Sequence, residues 1–137
     1  SARVQELFAW ARAHVGLPYR LGATGPDAYD CSAFAQAAFA SIGITLPRTA
    51  REQRDWVAAG NGFQVQPGQE QPGDLVFTDT WLGTATVGHV MIVYDPASHT
   101  SIEEAGKGLA FYDYTRFASH PIFEIWRVGN IADPTTI

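Results

Sequence analysis

The chain has 137 residues, 46% of them hydrophobic and 17% charged, with a formal net charge of -5. That length supports one domain with a real core, and the sparse, acidic charge excludes the Lys- and Arg-rich surface that nucleic-acid binding needs. No apolar stretch approaches the roughly 18 residues of a membrane-spanning helix, and the opening Ser-Ala-Arg-Val-Gln carries no secretory leader pattern, so any targeting segment is expected outside this sequence.

Val4, Leu7, Phe8, Ala11 and Val15 recur at helical spacing, which predicts an amphipathic helix over 2–15, stopped by Gly16 and Pro18. Residues 16–30, rich in Gly, Pro and polar side chains, read as a loop. CSAFAQAAFASIG follows, with Asp30 as N-cap and Gly43 as stop. A helix this apolar all round belongs in a core. Thr49 and Glu52 have capping-box spacing and open a shorter helix over 50–58. After Gly60 the turn-rich stretch NGFQVQPGQEQPGD leads to five candidate strands, at 74–78, 89–94, 100–105, 109–114 and 122–128. PASH at 96–99 and GKG at 106–108 read as hairpin loops. Helices followed by consecutive strands predict an α+β fold with an antiparallel sheet of about five strands. The expectation is a single domain over 1–137 with a loose tail from about 130.

One cysteine and four histidines are present. A lone cysteine makes no internal disulfide; most such thiols only pack, and some are nucleophiles. Cys31 sits in the first turn of a predicted helix, where free N–H groups and the helix dipole stabilise a thiolate, although Asp30 opposes by like charge. A thiol nucleophile needs a base and the base an orienter. His14, His99 and His120 fall at a helix end and in loops. His89 opens the most apolar strand and needs a polar partner there. The hairpin 89–94/100–105 returns residues 103–105 beside it. Alternation lets only one of Glu103 and Glu104 share its face.

Four ordered blocks carry a resemblance over about residues 12–105. GLPYRLGATGPDAYDCSAF, GITLPRTAREQ, QPGDLVF and GHVMIVY resemble the signature of the NlpC-type cell-wall peptidases, a papain-like clan. The resemblance implies a papain-like fold and cleavage of the peptidoglycan stem peptide, at the bond between the γ-carboxyl of D-glutamate and a diamino acid such as diaminopimelate. It implies Cys31 as nucleophile and His89 as base. The third polar residue of the family precedes a small residue in the next strand, which points to Glu104 before Ala105, with Glu103 the alternative. Tyr19, Asp30 and Ser32 are implied as substrate-binding residues. Their plain readings are a packing aromatic, a helix cap and a first-turn residue.

Arg48 is expected to anchor its loop or to meet a substrate carboxylate, and Gln53 to be structural. Ala33, Phe34 and Ala23 depart from the family's Gly, Leu and Gly, and Trp81 is a candidate cleft wall. The resemblance implies no metal or other cofactor, a monomer without nucleic-acid or membrane partners, and a secreted, periplasmic or wall-associated location. The rival readings are a thiol acyltransferase or amidase on a non-wall substrate, and a non-catalytic wall-binding module.

Overall fold

Helix α1 (Ala2–Ala13) buries Val4, Leu7, Phe8 and Ala11 in a computed structural model that describes residues 1–80 and 85–131. The 3-4-3 spacing puts those side chains on one stripe. The helix ends at Ala13, two residues earlier than its apolar pattern, with His14 as its C-cap, and the chain turns at Gly16 with a positive φ of 102°. Helix α2 (Cys31–Ala40) is capped by Asp30, whose side chain accepts from the N–H of Ala33, and it buries Cys31, Phe34, Ala35, Ala38 and Phe39 among others. Helix α3 (Ala50–Trp56) carries the complete Thr49/Glu52 capping box and runs into a wide π-type turn over Val57–Asn61.

The six strands are β1 (Gly62–Val65), β2 (Leu75–Thr78), β3 (His89–Asp95), β4 (Thr100–Ala105), β5 (Gly108–Asp113) and β6 (Phe123–Val128). They form one antiparallel sheet in the order β1-β6-β2-β3-β4-β5. The five expected strands are all present. The sixth, β1, lies in the stretch read as a linker. It is a four-residue edge strand flanked by turn residues, and only its pairing with β6 makes it a strand.

Both faces of the sheet are covered. Leu75, Phe77, Val90, Ile92, Ile102 and Leu109 pack with the helices in the main core. Val76, Met91, Val93 and Ile125 form a second cluster under Tyr114 and Phe117. These come from a short 3-10 turn, Tyr114–Phe117, that follows β5. A strand buried on both faces reads as a continuous apolar run, and β2 and the middle of β3 do so. At the far end, Ile131 is buried and the carbonyl of Asn130 accepts from Arg3 Nη1 at 2.6 Å, so the first two residues of the expected loose tail are held against α1.

Helices packed on one face of an antiparallel sheet, with the central helix starting at the sheet's open end, make an α+β papain-like fold. The start of α2 faces the start of β3, with close contact between the two elements. That is where Cys31 meets His89.

Candidate active site

Asp30 builds the local frame. Its Oδ1 accepts from the Ala33 N–H (2.8 Å), Ser32 Oγ (3.2 Å) and Arg48 Nη1 (3.1 Å), and its Oδ2 from Arg48 Nη2 (2.8 Å) and the Gly22 N–H (3.1 Å). Burial works against the ionised carboxylate, but the Arg48 guanidinium and these N–H donors outweigh it and hold Asp30 below the usual carboxylate range. One side chain thus caps α2, closes the preceding loop and fixes Arg48, which also donates to Ser32 Oγ at 2.9 Å. Gln53, fully buried, donates from Nε2 to the carbonyls of Ser32 and Pro47, tying α3 to the first turn of α2.

Cys31 is therefore the first residue of a firmly capped helix. It is buried at 8% exposure and its Sγ lies 3.9 Å from the carbonyl of Gly88, the residue before His89. Asp30 takes the N–H of Ala33, while those of Cys31 and Ser32 have no protein acceptor among the described residues. The first N–H groups of a helix are free to stabilise negative charge.

His89 completes the pair. Its Nε2 is 2.7 Å from Glu103 Oε1, which leaves Nδ1 as the nitrogen available to the thiol. Burial alone would lower the proton affinity of the ring; hydrogen bonds to Cys31 and Glu103, with their charges, overturn that and lift it to about 9. Glu103 is fully buried, and burial opposes its charge. His89 and Arg116 nevertheless hold it below its ordinary range. Arg116 reaches it from the 3-10 turn with Nη2 at 2.6 Å from Oε1 and Nη1 at 3.1 Å from Oε2, and Ser101 Oγ donates to Oε2.

The contact expected of Glu104 is made by Glu103 instead, and the pleat explains why. Val93 pairs with Ser101 and Ile92 with Ile102. Side chains alternate, so His89, Met91, Val93, Ser101 and Glu103 share one face, and Val90, Ile92, Ile102 and Glu104 share the other. Glu104 lies on the helix side, fully buried, with neither carboxylate oxygen hydrogen-bonded among the described residues. Desolvation raises it to about 7. A folded carboxyl raised above its unfolded value binds its proton more tightly when folded, so stability falls as pH rises from about 4.5 to about 7 and stays reduced above that. Glu104→Gln is expected to raise stability, and with it the melting temperature, more at pH 8 than at pH 5, the difference in stability being on the order of 2–3 kcal/mol. Equal gains at both pH values, followed by thermal denaturation, would show that Glu104 is not a buried neutral acid.

The thiol opens on a cleft whose walls include Tyr19, Leu21, Ser32, Arg48, Arg51 and Val87. Tyr19 is partly exposed there, at 37%, and so is free to meet a ligand. Asp30 and Ser32 line the same cleft, but their polar atoms are largely engaged by Arg48 and the helix start. Trp81 lies outside the described residues. Among them, no cluster of His, Cys, Asp and Glu has the makings of a metal site.

Two features beside the site were not foreseen. Arg116 lies in a turn that the sequence reading passed over. His120, assigned only to a loop, places Nδ1 2.9 Å from the fully buried Asp79 and meets Phe117 edge to face, and Phe117 in turn contacts the His89 ring. The available signal was the general one that a buried carboxylate requires a partner.

A thiol at a helix start, facing an imidazole and a carboxylate presented by two adjacent strands, is the arrangement of the papain-like cysteine peptidases. The chain belongs to the NlpC/P60 family, whose model matches residues 16–118. It is 43% identical over 82 residues to a probable endopeptidase p60 of Listeria seeligeri, an alignment spanning 60% of this chain and 15% of that protein. It is 30% identical over 105 residues to a gamma-D-glutamyl-L-lysine dipeptidyl-peptidase of Bacillus cereus, covering 72% of this chain and 30% of that one. The chain thus spans well under half the length of either relative. A crystal structure of an NLP/P60-family lipoprotein-like protein from Staphylococcus aureus superimposes with a TM-score of 0.77 at 27% identity, covering 93% of this chain and 42% of the other.

Proposed function

We propose that this domain is a cysteine endopeptidase acting on the stem peptide of bacterial peptidoglycan, at the amide between the γ-carboxyl of D-glutamate and a diamino acid such as diaminopimelate or lysine. The observation that carries the reading is the continuous Cys31–His89–Glu103 line, whose Cys31 end lines an open cleft. The activity for which the Bacillus cereus relative is named supports the bond.

In this mechanism the Cys31 thiolate, paired with the His89 imidazolium, attacks the scissile carbonyl carbon and forms a C–S bond. The carbonyl oxygen takes up negative charge, and the N–H groups of Cys31 and Ser32 face it. As the tetrahedral intermediate collapses the C–N bond breaks, and His89 gives its proton to the departing amine. Water then attacks the thioester, His89 takes a proton from it, and the thiolate leaves. Glu103 holds the ring by Nε2 throughout. Tyr19 offers a hydroxyl on the cleft wall, and Asp30 and Ser32 act chiefly by shaping the helix start and orienting Arg48. The chemistry uses no cofactor. Export to the periplasm or wall and a monomeric state go with this reading.

The test is to incubate the domain with purified stem peptides carrying lysine or diaminopimelate, with and without a competing amine, and to identify the products by mass spectrometry. A new free carboxyl on D-glutamate and a new amine on the diamino acid are expected. An amine adduct in place of the acid would instead make the domain an acyltransferase.

A further inference from the structure

Four ionisable groups stand in line at the sheet's open end: Cys31, His89, Glu103 and Arg116. In the reactive form their charges alternate and sum to zero. Glu103 is fully buried, and its two oxygens are shared between Nε2 of His89, both terminal nitrogens of Arg116 and the Ser101 hydroxyl. The Arg116 fork is itself fixed. Its guanidinium lies 4.9 Å from the ring centres of both Tyr112 and Phe117, and Nη1 also donates to the Asp113 carbonyl at 3.0 Å. Such stacking and bidentate pairing pin a planar cation where a lysine ammonium would be a loose point charge.

We propose that Arg116 is a positioning residue of the active site, which keeps Glu103 ionised and aimed at His89 and thereby sets the pH range over which the thiolate–imidazolium pair exists. The proposal rests on the Cys31–His89 reading and adds a fourth member to it. A buried carboxylate facing an imidazolium alone either binds a proton or leaves net negative charge beside the thiolate. Either outcome disfavours the thiolate, so loss of Arg116 moves the acid side of the reactive range upward. On the alkaline side Glu103 is ionised in any case, and without the guanidinium it holds the His89 proton at least as tightly. That limb stays or rises. Among the described residues, the groups facing His89 and Glu103 are Cys31 from α2, Ser101 on β4, Arg116 from the 3-10 turn, Tyr112 on β5, and the Asp79–His120 pair beyond Phe117, and Tyr19 and Arg48 act on Cys31 from the cleft side.

The experiment uses the single cysteine as its own reporter. The rate of Cys31 alkylation by iodoacetamide is measured against pH for the native chain and for Arg116→Gln, Arg116→Met and Arg116→Lys, with melting temperatures alongside. Gln keeps a donor and Met keeps the packing on Tyr112 and Phe117, so a folding failure in one leaves the other. In the two neutral variants the acid midpoint is expected to rise by about one pH unit with no fall in the alkaline midpoint. Lys, which keeps the charge, restores the midpoint at a reduced rate. Neutral variants that alkylate with the native pH profile, whatever their melting temperatures, overturn the proposal and leave Arg116 a packing residue. The reagent is no peptide, so this outcome is separate from failure of the peptidase reading. That failure appears as a native Cys31 alkylating like an ordinary thiol, with a midpoint near about 8.5.

Discussion

Cys31→Ala is expected to lower hydrolysis of stem peptides by at least about 10⁴-fold, because the covalent route has no substitute nucleophile and only binding and the helix-start N–H groups remain. The fold should persist. Alanine is an excellent helix residue, and the capping of α2 depends on Asp30, Arg48 and Gly22 rather than on the thiol. Removing one buried sulfur from the rim of the core costs about 1 kcal/mol, a melting-temperature change of a few degrees. The two readouts together are decisive. A folded variant that still turns over more than a hundredth of the native rate would remove Cys31 from the chemistry altogether.

The large effect of one atom follows from how much structure is committed to placing it. The loop before α2 is tied back through Gly22, the helix start is capped, and Gln53 bridges α2 to the segment entering α3. These bonds converge on the first turn of α2 and hold Sγ where it lines the cleft. A side chain that only filled space would be indifferent to such precision, and Ala35 and Ala38 fill the middle of α2 without it.

What could be read in the sequence was what short-range patterns decide. The helix starts at Asp30 and Thr49 are local hydrogen-bond motifs, and the five strands recognised are apolar runs between turn residues. Strand β1 escaped because FQV has no apolar run of its own, and its strand character comes from β6, some sixty residues away. The same limit governs the site. Cys31 and His89 each carry a local mark, a helix start and a polar opening to an apolar strand. The choice between Glu103 and Glu104 carries none, since adjacent residues on a strand differ only in face, and the face is set by the Val93–Ser101 pairing across an irregular hairpin. Family pattern favoured Glu104; the pleat favours Glu103. Arg116 reaches back from its turn to a strand residue thirteen positions earlier, and Asp79 meets His120 across 41 positions; nothing in the local sequence of either contact distinguishes its members from surface charges.

Glu103→Ala is expected to reduce kcat/KM by about 10³-fold, while Glu104→Gln leaves it within about threefold. The alanine leaves two buried or half-buried cations, His89 and Arg116, without their shared anion. It also frees the imidazole to turn, so the correct nitrogen no longer faces the thiol. An orienting carboxylate in a comparable triad is worth about 10⁴ in rate, and here Arg116 and the packing on Phe117 retain part of the alignment. Glu103→Gln is the sharper variant, because it preserves shape and an acceptor oxygen while removing the charge. Glu103 is among the groups that raise the His89 proton affinity to about 9, against the opposing effect of burial. Without its charge that affinity falls toward or below the ordinary value near 6.5, so the alkaline limb of kcat/KM moves down. The thiolate loses its stabilised imidazolium at the same time, so the acid limb moves up and the active range narrows from both sides. Arg116 variants, by contrast, raise the acid limb without lowering the alkaline one. Should Glu104→Gln prove the damaging change and Glu103→Gln the silent one, the His89 ring must turn to the helix side of the sheet in the working enzyme.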